Sequence, residues 1–460
     1  MTLIPTINAS IGKINKQIDE TQSPTNSDFP PYKLLIITPD LFERFLKPLK
    51  AHKEKFGITT YIAPLSEIYE KMYWNGRDKA EKIKYYIKEA VENWGTEYVL
   101  LVGGKVRQFN RWFLPVRYIN LGNSWEHYIL SDLYFADIYD SNGNFSSWDS
   151  DGDGIYGEWF IGDQPEDRNI DLSADVAVGR LPCRNIFEVI FMVNKIINYE
   201  KTAYNKPWFH DMVAIAGDTY PEYQNPEWAG YEGEIYADMA IENMTGFNPI
   251  KLYTSDGTYT VVKDILSAIN KGCGFVYFVG HGSAQTWGTH LPNSKNWSEG
   301  FTVSYFPHLQ NINKLPVCVV SGCHNCQFDV TIFNLFNKTR KGHGEAGYEC
   351  WGWRMTRKIG GGSIATIGCS ALGHTKEDKV SFNGGINELE VQFFKAYGQN
   401  NLDVIGDTWK AAINWYVGTY PVDWETELTN DSWVDMQVVS TWTLIGDPSL
   451  KIGGYPPSVV

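Results

Sequence analysis

Two short stretches each place a reactive side chain directly behind an apolar run. In "GFVYFVGHG" (274–282) it is His281, held between Gly280 and Gly282; in "LPVCVVSGC" (315–323) it is Cys323, after Gly322. Histidine moves its proton near neutral pH, and cysteine is a nucleophile once ionised. Both apolar runs predict buried strands. In a parallel sheet, neighbouring strands end on one edge, so two residues distant in sequence meet in space and suit Cys–His nucleophilic chemistry. The residues behind Cys323, "QFDVTIFNLFNK" (327–338), have helical spacing. A thiol between a strand and a helix N-terminus would be drawn towards thiolate by the helix dipole. Cys326 makes "CHNC" a C-x-x-C as well, the spacing of a thiol–disulfide oxidoreductase or of half a zinc site. A second C-x-x-C is absent, which argues against structural zinc. The redox reading stays open, with Cys323 and Cys326 close enough to oxidise to one another. It leaves Gly280-His281-Gly282 without a role.

A third stretch, "DSDGDGIYGE" (149–158), carries carboxylates at Asp149, Asp151 and Asp153, then Gly154, the Ile155 carbonyl and Glu158. This is the ligand order of the first half of an EF-hand loop. Its last acid is the tenth residue rather than the twelfth, so no EF-hand helix pair is expected. Oxygen ligands alone select a hard cation, and Ca²⁺ in a structural role is expected here.

Those residues need elements to hold them. Apolar runs at 33–39, 97–104, 174–182, 211–218, 250–256, 274–282, 315–323, 361–369 and 441–452 read as strands, with a shorter one in "YIAPL". Helical patterns lie between some of them, clearest at 42–57 and at 77–95, which ends on Gly95. Continuous apolar strands alternating with helices predict a mainly parallel sheet covered on both faces. A polar insertion falls at about 120–170, and residues 1–31 read as a polar leader or linker.

The chain has 460 residues, 43% of them hydrophobic, which allows a large core and excludes global disorder. Its net charge of −14 is spread along the chain, against nucleic-acid binding and against an anionic-membrane patch. No apolar run is long enough to span a bilayer, and no signal peptide is visible. Six N-x-S/T sequons add weak support for secretion. The seven cysteines cannot all pair within the chain, so this is not a disulfide scaffold.

"GHGSAQTWGT", "LPVCVVSGCHN", "TWTLIGDPSL" and "ADVAVGRLP" together resemble, in content and order, the gingipain-type cysteine peptidases of the caspase-like clan, over residues 32–452. The resemblance implies a caspase-like three-layer α/β/α fold in two subdomains, 32–200 and 201–453, with a tail at 454–460. It implies a cysteine endopeptidase acting on protein or peptide substrates through a thioester, without a catalytic cofactor. The chain would be a monomer, outside the cell or at its surface. Residue by residue, Cys323 matches the nucleophile and His281 the catalytic histidine. The amides of Gly282 and Cys323 match the oxyanion donors. Asp218 stands where the family has a histidine-orienting glutamate. Glu234, with Glu232 as rival, matches the acid that receives a P1 Arg or Lys. His374-Thr375 fall where a pocket-wall tryptophan stands in the family. Read from the residues alone, Asp218 is equally a strand-end aspartate, and the two glutamates a solvated helix face. A thiol–disulfide oxidoreductase and a non-catalytic calcium-stabilised surface module are the alternative functions.

Overall fold

In the computed structural model the described residues are 31–122, 126, 128–221, 231–376 and 383–457. Ten strands form one sheet: β1 (Leu34–Thr38), β2 (Thr60–Pro64), β3 (Tyr98–Val102), β4 (Ala177–Leu181), β5 (Asp211–Ala216), β6 (Asn248–Tyr253), β7 (Phe275–Phe278), β8 (Val317–Val320), β9 (Ala365–Cys369) and β10 (Trp442–Ile445). Their spatial order is β2-β1-β3-β4-β10-β9-β8-β7-β5-β6. Most are buried along their whole length, because helices cover both faces. Phe275 on β7 packs against Phe394 and Tyr397 of one helix (Ile386–Gly398). Phe278, of opposite parity, packs at 5.2 Å against Trp351 of the helix Trp351–Thr356 on the other face.

All neighbours run parallel except β9 and β10, which are antiparallel, with Cys369 opposite Trp442. β10 is parallel to β4 through Ile445 and Arg180. The two halves of the sheet therefore point in opposite directions. The C-terminal ends of β1, β3 and β4 lie at one edge, and those of β7 and β8 at the other.

Local signals set the element ends. Asp78 caps the helix Lys79–Trp94 by accepting from the Glu81 amide, and Gly95 ends it at φ 69°. The "GDPSL" segment has a structural task. Lys53 is fully buried in the helix Glu43–Lys55, and its ammonium meets Glu200 at 2.7 Å and Asp447 at 2.9 Å. One buried cation thus ties the first helix, the helix Ile186–Thr202 and the turn after β10 together.

Candidate active site

β7 and β8 pair in parallel with Phe278 opposite Val320. His281 and Cys323 each follow three residues later, so the two side chains leave the same edge at the same register. His281 opens a hairpin, His281–Ser283 with Thr286–Gly288, which Phe301–Thr302 extends to three strands.

The imidazole Nε2 lies 2.6 Å from the Thr219 carbonyl. A carbonyl only accepts, so Nε2 carries the hydrogen and Nδ1 is left as the acceptor. Trp297 meets the ring edge-on at 5.4 Å and itself lies over His290, with centroids 3.8 Å apart. Burial lowers the His281 pKa below 6.5; the Thr219 carbonyl opposes that, and His290 adds to it. The resting imidazole is neutral at pH 7.

No α-helix starts at Cys323; the first one after it is Lys338–Gly342. Turns occupy 322–329, and the next regular element is a single 3₁₀ turn at Ile332–Phe336. This corrects the expectation of a thiol on a helix dipole. The stretch 327–338 carries no Gly or Pro, though Asn334 and Asn337 fall in it, and its apolar residues pack outward rather than on the sheet: Phe333 and Phe336 are exposed. Burial raises the Cys323 pKa above 9.0, opposed by the Gly373 amide, which lies 3.4 Å from Sγ. The resting pair is therefore thiol and imidazole, not an ion pair. Alkylation of Cys323 by iodoacetamide should then climb about tenfold per pH unit from pH 7 towards 9, as the thiolate fraction does. A rate already level at pH 7 would show a preformed thiolate.

Cys326 is fully buried and faces the core. A Cβ added at Gly352 or Gly368 would meet its Sγ at 2.5 or 2.9 Å, and its amide donates to Cys369. It does not share a surface with Cys323, so the C-x-x-C spacing presents no dithiol, and the redox reading loses its second thiol.

Gly282 explains the second glycine of the histidine loop. The two-residue turn makes Ser283–Thr286 the hydrogen-bonded closing pair of the hairpin, so Gly282 falls at a non-hydrogen-bonded position with its N–H pointing outward. A Cβ there would meet the Asn325 Oδ1 at 2.3 Å and the Cys323 carbonyl at 2.7 Å. Asn325 was not singled out from the sequence. Its Nδ2 donates to the Ser283 carbonyl at 2.8 Å and the Thr286 carbonyl at 3.0 Å, stapling the hairpin to the turn that carries Cys323. His324, at φ 61°, holds the same turn through Glu126 at 3.0 Å and Gln327 at 3.0 Å. Burial opposes its charge, but the Glu126 carboxylate outweighs that and raises its pKa. Two cavities adjoin at Gly282. One, of about 430 Å³, is lined by His281 and Trp297; the other, of about 230 Å³, by Cys323, His324, Glu126 and His343.

Asp218 is buried, and its Oδ2 accepts the Asn293 amide at 2.8 Å. Its backbone pairs with His290. It thus fixes the loop that carries His290 and Trp297, while Thr219 makes the hydrogen bond to His281. Glu232 lies against Asp218; burial and that carboxylate push it up to about 8. Glu234, on the same first helical turn, accepts from the Ser255 amide at 3.0 Å and from its hydroxyl. Burial raises it too, with Ser255 opposing. Neither glutamate lines the two cavities at Gly282. Tyr220 donates to Thr375 at 3.2 Å, and His374 packs on Trp433.

In the acidic loop, Asp149, Asp151 and Asp153 bring carboxylate oxygens within 4.8 Å of one another, and Asp151, Glu158 and Glu166 do the same. Glu166 is the ligand candidate the sequence reading missed. Asp149 already accepts the amides of Gly152 and Gly154 and pairs with Arg77 at 2.7 Å. The Ile155 amide donates to Asp153 at 2.7 Å. Burial pushes Glu158 up to about 7, with Glu166 and Asp153 adding to it. That crowding of acids fits a hard cation.

The sequence pattern of peptidase family C25 matches residues 27–453. Gingipain R2 of Porphyromonas gingivalis strain W83 is 21% identical over 430 residues, covering 93% of this chain and 46% of that protein. Gingipain R1 of the same species is 21% identical over 286 residues, covering 62% of this chain and 25% of that protein. The chain thus spans less than half the length of either relative. Among the solved structures that share its fold are the following two. One is the Arg-specific cysteine proteinase gingipain R (TM-score 0.61, 20% identity, 92% of this chain and 78% of that one). The other is the complex of the pro- and mature domains of Porphyromonas gingivalis RgpB (TM-score 0.61, 19% identity, 91% and 79%). With a family match running through almost every described element, from before β1 to beyond β10, the chain belongs to peptidase family C25.

Proposed function

We propose that this chain is a cysteine endopeptidase. The observation that carries the reading is the exit of His281 and Cys323 at equal register from paired strands, with the Gly282 amide turned outward beside them. Cys323 gives its proton to His281 Nδ1 and attacks the scissile carbonyl carbon. The oxyanion accepts from the Gly282 amide and from that of Cys323, each donor worth about 3 kcal/mol. His281, now charged, protonates the leaving amine as the C–N bond breaks and the thioester remains. Water, losing its proton to His281, then releases the acid and the thiol. Cleavage of a fluorogenic peptide library, lost in step with iodoacetamide labelling of Cys323, tests the reading. Hydrolysis that survives complete labelling defeats it.

A basic P1 residue is the proposed preference. It is supported by the acids at Glu232 and Glu234 and by the likeness to a proteinase described as Arg-specific. Of the two, Glu232 lies beside Asp218. Glu234→Gln or Glu232→Gln should lower kcat/KM for Arg at P1 at least about tenfold more than for a neutral residue. An unchanged ratio in both variants would refute the assignment.

The proposed cofactor is structural Ca²⁺ at Asp149, Asp151, Asp153, the Ile155 carbonyl and Glu158, with Glu166 added. Bound, it neutralises the crowded acids and holds the insertion. A hundredfold excess over Kd adds about 2.7 kcal/mol of stability. EDTA should lower the Tm, and Asp151→Ala should abolish that response; a melt indifferent to EDTA would remove the site. Protein substrates and a place outside the cell or on its surface belong to the same reading, which fractionation of the source cells checks. No described helix is long and apolar enough to cross a membrane.

A further inference from the structure

The sheet has a second edge at which strands end. Because β1, β3 and β4 run against β7 and β8, their C-terminal ends lie opposite the edge of Cys323. Strand ends are where open α/β sheets hold ligands. The loops that leave this edge, at Leu41 after β1, Val106–Phe113 after β3 and Arg184–Phe187 after β4, enclose a groove of about 470 Å³.

Its walls are apolar and open to solvent: Leu41 is 53% exposed, Phe109 53% and Phe187 82%. Phe109 stacks on Phe333 at 6.0 Å, which carries the apolar surface onward to Phe336, 88% exposed. A continuous exposed patch of this kind marks an interaction site. The charge lining it is of one sign. Arg107, Arg111 and Arg184 border the groove and no acid does, in a chain with 54 acidic and 40 basic residues. Arg184 is engaged by the Tyr348 carbonyl and ring. Arg107 and Arg111 are exposed and pair with no carboxylate among the described residues. Unneutralised arginines on an acidic protein select for carboxylates, and the fork geometry of the guanidinium suits them.

We propose that this groove docks an acidic, apolar segment of a partner protein. Carboxylates of the segment reach Arg107 and Arg111, and its aromatic or aliphatic side chains enter between Phe109 and Phe187. The groove borders the segment that follows Cys323, through Phe333 and Tyr348, and the proposal does not depend on the peptidase reading.

The test uses the full chain with Cys323→Ala and a fluorescein-labelled Glu-Phe-Glu-Leu-Glu-Phe-Glu peptide, read by fluorescence anisotropy. Saturable binding is expected. It should weaken at least tenfold in the double variant Arg107→Gln and Arg111→Gln, and likewise in Phe187→Ser, with unchanged melting curves. Salt should weaken it, and the same peptide with Lys in place of Glu should not bind. Equal binding of the two peptides, or binding that both variants leave intact, overturns the proposal. So does a dimer in sedimentation that Phe187→Ser dissociates while the peptide fails to bind, which assigns the groove to a second copy. Binding seen only after removal of residues 1–30 overturns it in favour of that segment.

Discussion

Cys323→Ala and His281→Ala should each reduce peptide hydrolysis by about 10⁴-fold or more, to the level left by binding and the oxyanion donors alone. Nucleophile and base act as one unit, so the double variant should be no worse than either single one. Cys326→Ala should keep its activity. Its thiol faces Gly352 and Gly368 in the core, so its loss costs packing, about 1 kcal/mol, and not chemistry. An inactive Cys326→Ala protein with a normal melting curve would break this division of roles. The pH profile carries a second check. His281 must be neutral to take the thiol proton, and its pKa lies below 6.5. The acid limb of kcat/KM should therefore fall below pH 6.5, with activity lost as His281 is protonated.

Asn325→Ala should lower kcat about 10²-fold with KM little changed. The two hydrogen bonds from Nδ2 hold the Ser283 and Thr286 carbonyls, and those residues close the hairpin that carries His281 and the Gly282 amide. Released, the hairpin no longer fixes the imidazole and the oxyanion donor against Cys323, and small displacements at a reacting centre are costly. Asn325→Asp should be at least as damaging, because a carboxylate would face two carbonyl oxygens. Asn325→Ala gives the thiol no new charged neighbour, so in that variant the pH dependence of Cys323 alkylation should stay that of the parent, which separates lost positioning from misfolding. Full kcat in Asn325→Ala would show that the hairpin holds itself.

Eight of the ten strands of the sheet fall inside apolar runs visible in the sequence, since a strand buried on both faces has to be apolar throughout, while β2 and the exposed edge strand β6 begin one and two residues before theirs. His281 and Cys323 were legible for the same reason: a polar residue closing such a run, flanked by glycine, stands out. So was the acidic loop, whose carboxylates crowd within ten residues. What the sequence left open depends on partners far along the chain. The reversal between β9 and β10 arises because β10, last in sequence, enters at the centre of the sheet and sets the two halves against one another. The carbonyl that orients His281 belongs to Thr219, 62 residues earlier, and a backbone acceptor leaves no mark on residue type. Asp218, one residue before it, carries the visible carboxylate; it holds the neighbouring loop through the Asn293 amide, and its charge also acts on His281. Glu166 and Asn325 act through contacts 15 and 42 residues away, to Asp151 and Ser283. The helical spacing after Cys323 misled because periodicity reports only which residues share a face, whereas whether that face meets the sheet is decided by packing; there Ile332, Phe333, Leu335 and Phe336 stay exposed, and only a 3₁₀ turn forms before Lys338.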